Sequence, residues 1–174
     1  MKHLGYLCLL WLLFGCDPTM TDLSDREKWD GYKPVYMTPA EARDIRLLSA
    51  RDLEKPGKIY VKDQYIFINE QSKGVHVIDN SNPSAPRSVA FINIPGNVDI
   101  SIKGTILYAD NFTDLVAIDI SNLQNIRVTK RVENVYEQLN YPDMTRVRFE
   151  CADASKGVVV GWVKTESKNL KCYR

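Results

Sequence analysis

Asp79 and Asp119 are set apart by their placement. Asp79 closes the run Val75-His76-Val77-Ile78, Asp119 closes Leu115-Val116-Ala117-Ile118, and each is followed by one residue and then Ser-Asn. A carboxylate ahead of such a turn can accept backbone N–H groups in an Asx-type turn and fix a strand corner. The alternative chemistry is a ring of carboxylates around a cation, yet calcium sites gather several oxygens closely. Repetition favours the corner, because every unit of a repeat needs the same turn and a ligand site is needed once. His76 sits inside an apolar strand, where packing explains it better than metal ligation. Cys151 and Cys172 could form one disulfide or remain two free thiols. Asn111-Phe112-Thr113 fits the N-glycosylation pattern but reads better as a hairpin loop. The chain has no nucleophile elbow, phosphate loop, HExxH or Cys-x-x-Cys. Its carboxylates are many and scattered, so no catalytic, cofactor-binding or metal-binding residue is assigned and no cofactor is expected.

The N-terminus carries a different kind of signal. Met1-Lys2-His3 is a short basic start, and residues 4–14 are apolar apart from Gly5 and Tyr6. A stretch this short does not span a bilayer about 30 Å thick and suits a removable signal. Leu13-Phe14-Gly15-Cys16 resembles a bacterial lipobox. That resemblance implies cleavage before Cys16, lipid on its sulfur and an anchor in the cell envelope, with the outer membrane preferred. Several acyl chains, at about 0.8 kcal/mol per buried CH₂, hold a protein firmly to a membrane. Cys8 would leave with the signal, so Cys151 and Cys172 would face an oxidising compartment.

Composition narrows the partners. The chain has 23 Lys+Arg against 22 Asp+Glu, and Lys2 is the only one of these before Cys16. A balanced body argues against nucleic acid, whose binders carry a basic face. At 174 residues there is enough chain for one domain with a sizeable core.

Five stretches must position these residues. Residues 1–15 read as the signal peptide and 16–37 as a polar tether, with Trp29, Tyr32 and Tyr36 expected to pack onto the domain. Residues 38–55 hold a short helix and linker. Thr38 suits the N-cap, Pro39 the first turn and Glu41 the return position of a capping box, predicting a helix from about Pro39 to Leu48 that covers a sheet edge. Residues 56–135 hold two units of four short strands. The first runs through Lys58–Lys62, Tyr65–Ile68, Val75–Asp79 and Val89–Ile94. The second runs through Val98–Ile102, Ile106–Ala109, Leu115–Asp119 and Val128–Val132. The offset is 41 residues in the second strands and 40 at the aspartates. Periods near forty with four strands mark propeller blades. Residues 136–174 read as a divergent or partial third unit with a polar tail.

With the two units aligned, the chain resembles the LVIVD-repeat family of bacterial exported proteins, through Leu115–Asp119, Val75–Asp79 and the Ser-Asn pairs that follow them. The resemblance implies propeller-like blades, a surface or periplasmic setting and no established reaction. The fold class is thus all-β: blades of four antiparallel strands in an incomplete propeller, with one short helix. At about forty residues per blade there is room for at most three, while closed propellers use about four to eight. Such an arc leaves exposed faces and edges and is expected to associate or aggregate. Two functions follow from this reading. The first is a lipid-anchored binding or scaffold module that meets a protein or glycan. The alternative is an envelope enzyme acting on glycans, with its site in the blade loops.

Overall fold

A computed structural model describes residues 31–138, 140–167 and 169–174. Within them come strand β1 (Gly31–Met37), a one-turn helix α1 (Pro39–Ala42) and strand β2 (Arg46–Leu48). The first unit follows as β3 (Pro56–Lys62), β4 (Tyr65–Glu70), β5 (Gly74–Asp79) and β6 (Arg87–Asn93). The second is β7 (Ile100–Lys103), β8 (Ile106–Asn111), β9 (Asp114–Asp119) and β10 (Arg127–Val132). Then come β11 (Arg148–Phe149), β12 (Val158–Thr165) and β13 (Cys172–Tyr173).

Each unit is an antiparallel meander, and the two share their turn chemistry. The β3–β4 turn places Asp63 at φ 52°, and the β7–β8 turn places Gly104 at φ 60°, residues that tolerate the left-handed region. The fourth strand of each carries a register shift at matching positions, with Val89 of β6 and Thr129 of β10 skipped in the pairing with the third strand. One core lies between the two sheets. Phe67, Val75, Val77 and Ile92 from the first meet Ile100, Leu107, Val116 and Ile118 from the second, all 2% exposed or less. Burying an aliphatic side chain of this size contributes about 1.5–3 kcal/mol, so this interface is the main source of stability.

The helix is shorter than the sequence pattern predicts. Its capping box forms, with Thr38 Oγ1 accepting the Glu41 N–H at 3.2 Å and Glu41 Oε2 accepting the Thr38 N–H at 3.0 Å. The chain then leaves the helix and residues 46–48 pair with β6, Leu47 opposite Ile92. A strand here satisfies the outer edge of the first sheet directly, which a continued helix could only have covered. The first sheet therefore has five strands, in the order β2-β6-β5-β4-β3, and the second four, β10-β9-β8-β7.

The last stretch is not a third meander, and the tether reading fails over residues 31–37. These residues form β1, which pairs antiparallel with β12 and parallel with β11 in a sheet ordered β12-β1-β11-β13. Residues 136–147 lack a strand period, so this mixed sheet takes a strand from before the repeats. Pro34 is accommodated because β11 pairs with β1 at Tyr32 and does not run beside Pro34. Tyr32 and Tyr36 are half-buried, and the Tyr36 hydroxyl accepts the Asp153 N–H at 2.8 Å. Trp29, Cys16 and the signal lie outside the described residues. A disulfide joins Cys151 to Cys172, beside the β11–β13 pair Phe149↔Cys172, and points to an oxidising, extracytoplasmic setting. The fold is thus three separate sheets and one short helix, and among the described residues these sheets do not close a propeller.

Candidate functional site

The repeated aspartates occupy equivalent corners. Asp79 Oδ1 accepts the Ser81 N–H at 2.9 Å and Asp119 Oδ1 the Ser121 N–H at 2.9 Å. The second oxygens face Arg87 Nη2 at 3.3 Å and Arg127 Nη2 at 3.2 Å. The Ser81 and Ser121 N–H groups, helped by the arginines, hold both carboxyls below their ordinary range. Next in the chain, Asn82 and Asn122 accept the N–H groups of Ser84 and Gln124. These oxygens are committed to the turn. Among the described residues no three His, Cys, Asp or Glu side chains gather at metal-binding spacing.

At the other end of each meander lies a buried polar cluster that the sequence pattern did not single out. In the first unit Glu70 is fully buried at the end of β4. It accepts the N–H groups of Glu54 at 3.1 Å and Lys55 at 2.8 Å, and His76 Nε2 lies 2.8 Å away. Burial pushes the carboxyl up, but the Glu54 N–H, His76 and the Lys55 N–H together outweigh it and hold the pKa down at about 2. His76 is 2% exposed and stacks edge-on against Phe91 at 4.8 Å. Its place in the strand is therefore packing, with a carboxylate on the ring nitrogen.

In the second unit Asn111 stands where Glu70 does and Arg131 where Phe91 does. Arg131 Nη1 donates to Asn111 Oδ1 and Asp114 Oδ2, both at 2.7 Å. Asp114 is buried, which raises its carboxyl, but Arg131, the Asn134 N–H and Arg43 together hold it low. Asn111 donates to Ala42 O at 2.8 Å and Pro95 O at 2.6 Å, so the amide of the N-glycosylation pattern is buried and engaged. Between the units, Asn97 is fully buried, donates to Asp99 O at 2.8 Å and Asp110 Oδ1 at 2.9 Å, and accepts from Asn69. Glu70 and Asn111 were discoverable: both are polar residues at the same place in the aligned second strands.

Near these turns the mixed sheet leaves a cleft of about 530 Å³. One wall is β12 with Trp162, whose ring meets Phe149 edge-on at 5.2 Å. Opposite is Phe112, held at φ 55°, a conformation that bulky residues adopt rarely and that costs about 1–3 kcal/mol. Gly96 makes room for this ring, since a Cβ there would come within 2.5 Å of it. Tyr141, under the Arg174 guanidinium at 4.1 Å, completes the aromatic lining, and Glu137, Gln138 and Asp143 add polar groups. A second cleft of about 590 Å³ lies between the turn around Lys62–Tyr65 and residues 120–124, lined largely by turn residues of the two units.

Fold and sites together define a β-sheet repeat protein, two four-stranded units packed face to face beside a mixed sheet. The LVIVD repeat family model matches residues 55–92 and 96–133, and these two units are LVIVD repeats. Neither the curated proteins nor the solved structures give a match to this chain.

Proposed function

We propose that this protein is a lipid-anchored binding module of the bacterial envelope that seats a saccharide segment in the cleft between the mixed sheet and the repeat turns. The observation that carries the reading is the lining: the aromatic side chains of Phe112, Tyr141 and Trp162 stand beside the hydrogen-bonding groups of Glu137, Gln138 and Asp143. Sugars present apolar ring faces and a belt of hydroxyls, and a concave site mixing the two kinds of surface suits them. Glu137 and Asp143 also put two carboxylates in the cleft, so turnover of a bound glycan is the second reading. The anchor rests on Leu13-Phe14-Gly15-Cys16, and the disulfide agrees with the compartment it implies.

Titrating the protein with soluble fragments of envelope polysaccharides, read by calorimetry, tests the cleft. Saturable binding that Trp162→Ala weakens at least tenfold is expected; binding that ignores this change, or none at all, removes the saccharide reading. Release of a reducing end during the titration would favour the glycan-cleaving enzyme. For the anchor, Cys16→Ser should move the protein out of the membrane fraction and abolish incorporation of labelled fatty acid.

A further inference from the structure

The two repeats are related by more than their turns, and the relation extends to their faces. The second sheet buries Ile100, Ile102, Leu107 and Ala109 against the first, each 5% exposed or less. Forty-one residues earlier stand Ile59, Val61, Ile66 and Ile68, the same positions of the first sheet. They form its other face, with Ile59 opposite Ile68 and Val61 opposite Ile66. Ile59 and Val61 are 59% and 64% exposed. Further along this face His76 and Phe91 are buried, with Arg51 over the Phe91 ring at 4.6 Å, so its open part is the β3 side. Conversely, the face with which the first sheet grips the second includes Tyr60, Tyr65 and Phe67. Its counterparts in the second sheet are Ser101, Ile106 and Tyr108, and Tyr108 is 37% exposed. Each open face thus repeats a face that the molecule already buries.

The polar contacts across the internal interface obey the same offset. Lys58 Nζ pairs with Asp99 Oδ1 at 2.7 Å, and positions 58 and 99 are equivalents. The Tyr60 hydroxyl donates to Ile102 O at 2.7 Å, and the equivalents of these two residues are Ser101 and Val61. A copy that presented its Lys58 side to the open face of the second sheet would therefore meet Asp99 with the opposite charge, and would bring Val61 to Ser101. Both charged side chains have room for another neighbour, being 52% and 61% exposed.

We propose that a second copy of this chain occupies these faces, docked head to tail, so that the open face of one second sheet packs on the open face of the next first sheet. The contact is heterologous and closes into a ring in which Lys58 and Asp99 alternate. With two repeat sheets per copy and about four to eight sheets in a closed ring, the ring takes about two to four copies.

The full chain is expressed in a bacterial host as two differently tagged populations, with Val61→Cys and Ser101→Cys singly and together. The double variant should form covalent dimers or higher rings carrying both tags under mild oxidation, and neither single variant should. Unmodified protein should also elute at a multiple of the chain mass that falls to a single chain in Val61→Asp, with little change in its unfolding midpoint when dilute, because this side chain is exposed in the monomer. Dimers formed by Val61→Cys alone would mean a face-to-face pairing and overturn the proposal. So would a single-chain mass for unmodified protein at all concentrations, or a complex with a different protein that survives Val61→Asp.

Discussion

Glu70 and Asn111 end the second strand of the first and second repeats, and the corners built around them solve one problem in two ways. In the first repeat a buried carboxylate collects two backbone N–H groups and a histidine from within the same unit and its linker. In the second an amide takes that position, and the charge moves to Asp114 at the start of the next strand, where Arg131 neutralises it. The first corner binds the incoming linker; the second binds α1 and the loop at Pro95. Equivalent meanders therefore receive different neighbours through a few polar substitutions at one end, and the four-strand order stays intact.

Removing the carboxylate should produce the largest effect. Glu70→Ala leaves the buried His76 and the N–H groups of Glu54 and Lys55 without their acceptor and should cost about 3–5 kcal/mol in urea unfolding. Rewriting the first corner toward the second, with Glu70→Asn and His76→Val together, should cost clearly less than Glu70→Ala alone, because the buried imidazole goes with the charge and the amide still accepts an N–H. Equal losses would show that the histidine contact is incidental. In the second repeat Arg131→Ala should cost about 2 kcal/mol, since Asp114 keeps the Asn134 N–H and has Arg43 at 3.6 Å.

The first corner is also sensitive to acid. Glu70 is held at about 2 in the folded state against 4.5 for the free group, so its contribution is complete above about pH 4.5 and is lost as the pH falls toward 2. Unfolding midpoints measured between pH 5 and 2 should therefore fall in the parent, and fall less steeply in Glu70→Asn/His76→Val. The smallest effect is expected at the other end of the meanders. Asp79→Ala and Asp119→Ala should lower the midpoint slightly and by equal amounts, the two turns being near copies. Calcium should change neither midpoint, and a calcium-dependent rise lost in either variant would restore the cation reading.

Much of the repeat region was legible because its signals are local. Alternating apolar runs, the Lys62-Asp63 and Lys103-Gly104 turns and the Asp-x-Ser-Asn corners each depend on residues within a few positions, and recurrence forty residues on sets the register. The capping box at Thr38 was legible for the same reason. How far α1 continued was not, since Leu47 gains more by pairing beside Ile92 than by another helical turn, and Ile92 is 45 residues away in the chain.

What the sequence determined by itself is the pair of meanders: short-range turn chemistry and side-chain period leave few other structures for residues 56–132. The tertiary structure alone decided that Gly31–Met37 becomes a strand between β12 and β11, that Cys151 meets Cys172, and that Glu70 and His76 share a buried site. Each of these rests on a partner chosen by packing from far along the chain or on a carboxylate's burial, and a polar residue at a strand end looks the same in sequence whether water or protein satisfies it.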